Sequence, residues 1–354
     1  ETNVAWPLRT RASVNDGGVS WGKRRCPGTF VSRGTTRFQR NGTTMKLTFR
    51  QLQYAIAAAR YGSLTAAADA LHISQPSISV AITQIEEYFG RALFVRQRGS
   101  GIALTAFGQA ALAKAREVLS NVEALEALAD EDAAPHGEFV LGCFEDLAPY
   151  CVPPILARLG RKFPAINVIV REEGFDNLGR QLDEGIADLA ITYDLGLSTS
   201  IVRVVLCELA PQALLPADHP LVAQPAVTLA DLARYNVILT DQAQSWQHIL
   251  ELFYLRGVRP LRATRTGSFE LQRGMIANGF GVGIAYSRPF SDYSYDGKPL
   301  VRRAIADPLP LQRILLARNE KSMLTAAHRV FIDEAKSWFE EVWAPPAKAA
   351  KAAA

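Results

Sequence analysis

The stretch from Ser63 to Gly90 limits the fold more than any other part of this chain. Two apolar patterns of helical period lie on either side of the break His72-Ile73-Ser74. Ile78, Ile82, Ile85 and Phe89 recur at spacings of four, three and four, so they share one helix face and are expected in a core. Ser63 and Ser74 are candidate N-caps, Pro76 sits in a first turn where its missing N–H costs nothing, and Gly90 stands where a C′ glycine ends a helix. Opposite the apolar stripe the wheel places Pro76, Ser77, Val80, Thr83 and Gln84. At its N-terminal half that face is small and weakly polar, where a solvated helix more often shows Lys and Glu. Short side chains suit a helix that lies close in a major groove. Two helices with a tight turn, the second leading with its N-terminus, have helix-turn-helix geometry. A three-helix packing module is the competing reading.

The flanks extend this pattern. Thr48–Tyr61 reads as a helix with Leu52, Ile56 and Ala59 on one face, and Thr65–Leu71 as the next. After Gly90, the apolar runs Ala92–Val95 and Ile102–Leu104 flank the basic, glycine-rich Arg96–Gly101, as in a β-hairpin. Its tip would be a wing, with Arg96 and Arg98 placed for phosphate or minor-groove contact. Thr105–Leu128 carries Phe107, Ala111, Ala115, Val118, Val122 and Leu125 on a near-heptad stripe. This helix is expected to pair with its copy in a second subunit, with packing on its own domain as the alternative. Asp130–Gly137, acidic and interrupted by Pro135, reads as a hinge.

Beyond the hinge, strand-like Glu138–Gly142, Ile166–Glu173 and Asp188–Tyr193 alternate with helical Leu147–Phe163 and Asn177–Glu184. That order predicts an α/β domain with a mainly parallel sheet. A second block runs from Cys207 to about Leu300. Leu311–Ala317 then returns to the first block as a strand, and Ala326–Trp343 closes as a helix. Two lobes joined by crossing strands form a cleft, the usual place for a small ligand. The expected organisation is a leader over residues 1–44, a winged helix-turn-helix over 45–104, a linker helix and hinge over 105–136, a two-lobed domain over 137–343 with its second lobe at about 208–305, and a tail over 344–354.

Composition agrees with a water-soluble globular chain: 48% hydrophobic and 21% charged over 354 residues. The apolar runs fall short of the ~18 residues a membrane span needs, so no membrane partner is expected. The net charge of +4 hides an asymmetry. Residues 1–44 hold eight Lys or Arg against two acids, residues 45–108 six against three, and residues 109–354 hold 25 against 30. A basic N-terminal part on a mildly acidic remainder points to a nucleic-acid partner at one end, chance clustering being the bland alternative. Residues 1–44 lack the apolar stretch of a secretory signal and any helical period, and Met45 opens the first patterned segment. They are expected to be disordered and outside the fold. Cys26, Cys143, Cys151 and Cys207 form no CxxC or Cys/His cluster, so no metal or cofactor is expected and a reducing cytoplasm fits. Each reads as a small buried hydrophobe. A thiol sensor on Cys143, Cys151 or Cys207 is the sharper alternative.

Several spaced elements now fall in order: Ser63 to Leu71 (SLTAAADAL), His72 to Ser79 (HISQPSIS), Ile85-Glu86-Glu87 followed by Gly90, and Leu93-Phe94 followed by Arg96. Over roughly Thr48–Gly108 the chain resembles the DNA-binding module of the LysR-type transcriptional regulators. The rest is similar to that family's linker helix and two-lobed effector domain of the periplasmic-binding-protein type. The resemblance implies a cytoplasmic, non-enzymatic regulator of α/β class that binds double-stranded promoter DNA as a homodimer or homotetramer and answers to a small-molecule effector, with RNA polymerase as a further partner. It places Gln75, Pro76, Ser77 and Ser79 where the recognition helix meets DNA, with Thr83 on the same face. Arg96 and Arg98 fall at the wing, and Thr48, Arg50 and Ser63 at helix starts near phosphates. The chain departs from the family at Val80 and Ala81, where a basic residue and a glutamine are common. Val80 is expected to meet a thymine methyl instead, with more of the readout carried by DNA shape.

In such domains a helix N-terminus faces the cleft and favours anions, and many relatives bind carboxylates there. This chain reads Gly142-Cys143-Phe144-Glu145-Asp146 at that loop, Tyr193-Asp194 after a later strand and Thr240–Ser245 in the second lobe. The candidate effector-binding residues are Cys143, Phe144, Glu145, Asp146, Tyr193, Asp194, Thr240, Ser245, Phe269 and Gly281. The expected pocket is more acidic than usual, suited to a neutral, amine-bearing or zwitterionic effector. Glu145 and Asp146 as plain helix caps are the alternative, and Arg265 or Arg273 could neutralise the site or hold a carboxylate. Gly279-Phe280-Gly281-Val282-Gly283 resembles a phosphate loop, but it follows a helix and precedes a strand, the reverse of a dinucleotide site. No triad is visible. A two-lobed solute-binding protein or enzyme would explain the C-terminal part but leave Thr48–Gly101 unused.

Overall fold

A computed structural model describes residues 47–96, 101–126 and 134–343. The expectations for residues 1–44, for the wing tip with Arg98, for half of the hinge and for the tail over 344–354 lie outside the described residues. Thr48 caps α1 (Phe49–Tyr61) in a capping box with Gln51, and Gly62, at φ 62°, ends it. Ser63 caps α2 (Leu64–Ala70) by accepting the Ala66 N–H. His72 holds a left-handed φ of 53° and makes the turn into α3 (Gln75–Phe89), which ends at Gly90. A β-hairpin follows, β1 (Phe94–Arg96) against β2 (Ile102–Leu104), before the linker helix α4 (Ala106–Glu126).

Ile78, Ile82, Ile85, Leu93, Leu112 and Ala115 close one core with Ala55, Ala58 and Ala67. Phe89 departs from the expected stripe. It is 41% exposed at the last position of α3, where its ring meets Tyr88 and Phe107 edge-on rather than entering the core. Along α4, Leu112 and Ala115 pack into the module, while Val118 and Leu125 are 43% and 66% exposed. The helix therefore serves its own domain with one face and leaves apolar side chains on another.

The C-terminal part begins with β3 (Gly137–Phe144), α5 (Ala148–Lys162), β4 (Ile166–Glu173), α6 (Phe175–Asp183), β5 (Leu189–Tyr193) and β6 (Ile201–Leu209). The chain then crosses to a second lobe of β7 (Gln212–Pro216), β8 (Ala226–Val227), α7 (Leu229–Leu232), β9 (Asn236–Thr240), α8 (Ala243–Leu255), β10 (Arg262–Thr266), α9 (Phe269–Ala277), β11 (Val282–Ala285) and β12 (Leu300–Ile305). It returns as β13 (Gln312–Asn319) and closes with α10 (Ala326–Trp343). The first lobe's sheet runs β4-β3-β5-β13-β6 and the second β10-β9-β11-β7-β12-β8. β3, β4 and β5 are parallel, as are β9, β10 and β11, but β13 is antiparallel to both β5 and β6, and β7 to both β11 and β12. The sheets are thus mixed rather than mainly parallel. A strand arriving from the other lobe makes no local helical crossover, so nothing forces it into parallel register.

Side chains join the linker helix and α1 to the first lobe. Gln109 Nε2 donates to Glu184 Oε1 at 2.8 Å, Arg116 Nη1 donates to the Glu184 carbonyl at 3.1 Å, and Arg60 pairs with Glu138.

Candidate DNA interface and effector cleft

Burial decides which face of α3 is free. Ile78, Ala81, Ile82 and Ile85 are buried, whereas Gln75, Pro76, Ser77 and Thr83 are exposed and Val80 is 55% exposed. Ser79 is half-buried and its carbonyl accepts the Thr83 hydroxyl at 3.0 Å. Gln84 is exposed but tied to α1, accepting from Gln51 Nε2 at 2.6 Å. Ser74 makes no side-chain cap; its Oγ lies 2.8 Å from Ser77 Oγ. The first turns of α1, α2 and α3 all lack acidic residues, so their partial positive charge is free to attract phosphate. Thr48 and Arg50 are exposed at the start of α1 and Arg96 at the end of β1, while Ser63 is half-buried as a cap. Glu86, which belongs to the motif, is structural: its carboxylate accepts the N–H groups of Leu93 and Phe94 at 2.7 and 3.3 Å.

The second site lies where strands of the two lobes end, the usual place for a ligand in open α/β sheets. A cavity with about 50 Å³ of free space is walled by Phe144, Asp146, Tyr193, Thr240, Ser245 and Phe269. The structure adds Phe175, Leu195, His248, Ile249, Gln272, Tyr286, Ser287 and Gln312 to that wall. Tyr286 and Ser287 directly follow β11, and that strand-end position was their available signal. Phe144 and Phe175 stack at 4.1 Å, and Tyr193 Oη lies 2.8 Å from Ser287 Oγ across the lobes. Gln242 donates to Glu145, and Gln244 Nε2 to Asp176 Oδ1 at 2.9 Å, tying the lobes together.

Four expected cleft residues lie elsewhere. Cys143 alternates to the opposite side of β3 from the cavity, fully buried with its Sγ 3.9 Å from that of Cys151. Glu145 is drawn to Gln242 at the cleft rim. Asp194 leaves the cavity to pair with Arg203 at 3.1 Å. Gly281 sits at the start of β11, away from the strand ends that form the cavity. A Cβ there would lie 2.1 Å from the Asn236 carbonyl oxygen, so that glycine permits a close backbone approach. Arg265 pairs with Asp241 at 3.0 Å, and Arg273 is buried with Nη2 donating to the carbonyls of Ser291 and Tyr293, so neither neutralises the cavity.

Residues 49–109 match the family described as "Bacterial regulatory helix-turn-helix protein, lysR family", and residues 132–340 match "LysR substrate binding domain", more than half of the chain. The chain belongs to the LysR family of transcriptional regulators. This LysR-family regulator is 27% identical over 297 residues to YvbU of Bacillus subtilis (strain 168), an HTH-type transcriptional regulator, covering 83% of this chain and 99% of that protein. It is similar to the crystal structure of HinK, a LysR family transcriptional regulator from Pseudomonas aeruginosa, at 32% identity and a TM-score of 0.56, covering 82% of this chain and 98% of that one. A full-length OxyR variant from Pseudomonas aeruginosa shares the fold at 22% identity and a TM-score of 0.67, covering 84% and 96%. Among the described residues no helix is long and apolar enough to cross a membrane.

Among the described residues, Cys143 and Cys207 sit poorly for redox sensing. Burial pushes the Cys143 thiol well above its ordinary range, with Cys151 adding to it, and burial pushes Cys207 up to about 12. The thiolate is the species that attacks peroxide, so these groups react slowly. Native protein treated with hydrogen peroxide is expected to keep Cys143, Cys151 and Cys207 as thiols in a peptide mass map. A Cys143–Cys151 disulfide formed without denaturant would overturn this.

Proposed function

We propose that this regulator binds double-stranded promoter DNA through the exposed face of α3 and the wing, and that a small molecule in the inter-lobe cleft changes that binding. The observation that carries the reading is the pairing, in one chain, of an exposed recognition-helix start without acidic residues and a walled cleft between two lobes. Gln75, Pro76, Ser77, Ser79, Val80 and Thr83 are the groove-facing set, Arg96 and Arg98 the wing contacts, and Thr48, Arg50 and Ser63 the phosphate contacts at helix starts. Phe144, Asp146, Tyr193, Thr240, Ser245 and Phe269 contact the effector. The working domains are 45–104, 105–136 and 137–343. The exposed Val118 and Leu125 on α4 support a dimer through this helix, which doubles to a tetramer. Effector binding parts or closes the lobes, and the Gln109, Arg116 and Arg60 contacts carry the change to the linker and module as a population shift. RNA polymerase reads the altered complex in the cytoplasm, and no catalytic step or cofactor is involved.

Genomic footprinting supplies promoter fragments, and fluorescence anisotropy on them tests the reading. Affinity is expected to fall linearly in log–log form as salt rises, with a slope of roughly −0.9 per phosphate neutralised. A solute-binding protein or enzyme on this fold would bind ligand but retain no duplex. Val80→Arg is expected to change the preferred sequence, because an exposed valine on the groove face offers only a methyl contact. An unchanged footprint would mean that Val80 does not face the bases.

A further inference from the structure

We propose that the cleft takes a small protonated amine with an aromatic or apolar body, its ammonium held by Asp146 inside an aromatic enclosure. This rests on the reading of the cleft as the effector site and names the chemical class that fits it.

The walls favour a cation. Phe144 and Phe175 stack at 4.1 Å, Tyr193 meets Phe144 edge-on at 5.6 Å, and Tyr286 faces Tyr193 from the second lobe at 6.5 Å. Aromatic faces attract ammonium groups, more strongly once water is excluded. Asp146 is the one acid in the lining, which holds no Lys or Arg. Among the described residues no hydrogen bond or ion pair reaches its carboxylate. A half-buried carboxylate left without a donor has lost hydration that a cation can replace.

The same turn is poor in anion donors. At the start of α5, Pro149 has no N–H, that of Leu147 is given to the Phe144 carbonyl, and those of Tyr150 and Cys151 to the Leu147 carbonyl. Glu145 and Asp146 stand in front of it. A carboxylate ligand would meet two acids and a turn that has already given most of its N–H groups to carbonyls.

The groups facing Asp146 supply no competing cation. Glu145 comes from its own turn, Tyr150 from α5, Tyr193 from β5, His248 from α8, Glu270 from α9 and Tyr286 from the end of β11. Burial lowers the His248 ring, which bonds Tyr286 Oη at 3.0 Å, and Glu270 has Arg273 Nε at 3.0 Å. Burial first, then Glu145 and Glu270, raise Asp146 to about 7. With about 50 Å³ free, the lobes must part to admit a ligand, which opens the Gln242–Glu145 and Gln244–Asp176 bridges.

Calorimetry on the full chain with benzylamine, benzyl alcohol and benzoate at pH 8 tests this. Benzylamine is expected to bind at least about tenfold tighter than the other two, and Asp146→Asn to weaken it by roughly ten- to a hundredfold while leaving benzyl alcohol unchanged. In the parent, benzylamine affinity falls as pH drops from 8 to 6, because a proton competes for the carboxylate; in the variant it stays flat. Melting curves show that the variant folds. A carboxyl raised in the folded state loses the chain stability as pH climbs from its unfolded value to about 7. Asp146→Asn is therefore expected to melt higher than the parent by a margin that grows between pH 4 and 7. Preference for benzoate or benzyl alcohol, or unweakened benzylamine binding by the variant, overturns the amine inference and leaves the cleft reading standing. Binding of none of the three, in protein that still binds duplex, overturns both.

Discussion

Gly108→Val is expected to unfold the joint between the winged module and its linker helix while the two-lobed domain stays folded. Gly108 lies in the first turn of α4, and a Cβ there would sit 2.0 Å from the Leu93 carbonyl oxygen and 2.9 Å from its carbonyl carbon. No real side chain tolerates that distance, and the obstacle is backbone. Leu93 is fully buried, and its carbonyl accepts the Thr105 N–H at 2.9 Å. Thr105 in turn caps α4, its Oγ1 donating to the Ala92 carbonyl at 2.7 Å and accepting the Gly108 N–H at 2.9 Å. Making room for a valine breaks these bonds together. Overpacking costs about 1–3 kcal/mol, a lost cap about 1 and an unpaired buried carbonyl about 1–3. The total approaches the whole stability of a module this small. Calorimetry should show the module's transition falling by more than about 10 °C with duplex binding lost at 37 °C. Gly160→Ala, exposed in α5 with nothing within 4 Å of its Cβ, is the control and should gain up to about 1 kcal/mol. Equal melting of Gly108→Val and the parent would remove the close contact from the account.

The winged module was legible because its signals are local. Ser63, Ser74 and Gly90 are punctuation read within a turn or two, and Ile78, Ile82 and Ile85 carry a strong period. Nothing local marks His72 as the left-handed residue, since that position usually wants glycine and only the fold requires it here. The cleft was half legible. Phe144, Tyr193 and Thr240 end strands whose apolar runs stand out, so they could be placed at a crevice. Phe175, His248 and Gln312 come from helices and a returning strand, and nothing in their neighbourhoods marks them before the lobes are brought together. Strand β6 carries a weak signal because the exposed Arg203 and Glu208 break its apolar run and a register shift interrupts its alternation. Cys143 differs from a cavity residue by a single step of strand alternation: neighbours on β3 point to opposite sides, and Phe144, not Cys143, faces the cavity.

Ser77→Glu separates folding from DNA binding and should move them in opposite directions. Ser77 is the third residue of α3, and Ser74 is its N-cap. Glutamate at this position can reach back to the Ser74 N–H, as in half of a capping box, and negative charge in a first turn suits the helix dipole, so stability should rise by about 0.3–1 kcal/mol. The same carboxylate would stand at the exposed end that is offered to phosphate. Like charges about 4 Å apart repel by about 1 kcal/mol in water and about 4 in a partly desolvated interface. A loss near 3 kcal/mol corresponds to roughly a hundredfold weaker binding. Ser77→Gln has the same length and can reach the same N–H without charge, so its smaller loss isolates the electrostatic part. That part should shrink as salt rises, because the Debye length falls to about 8 Å at physiological strength. Anisotropy on a footprinted promoter fragment and thermal melts of the three proteins decide the matter. If Ser77→Glu binds within twofold of the parent, the N-terminus of α3 does not face the duplex. If it binds poorly and also melts early, the loss belongs to folding and not to the interface.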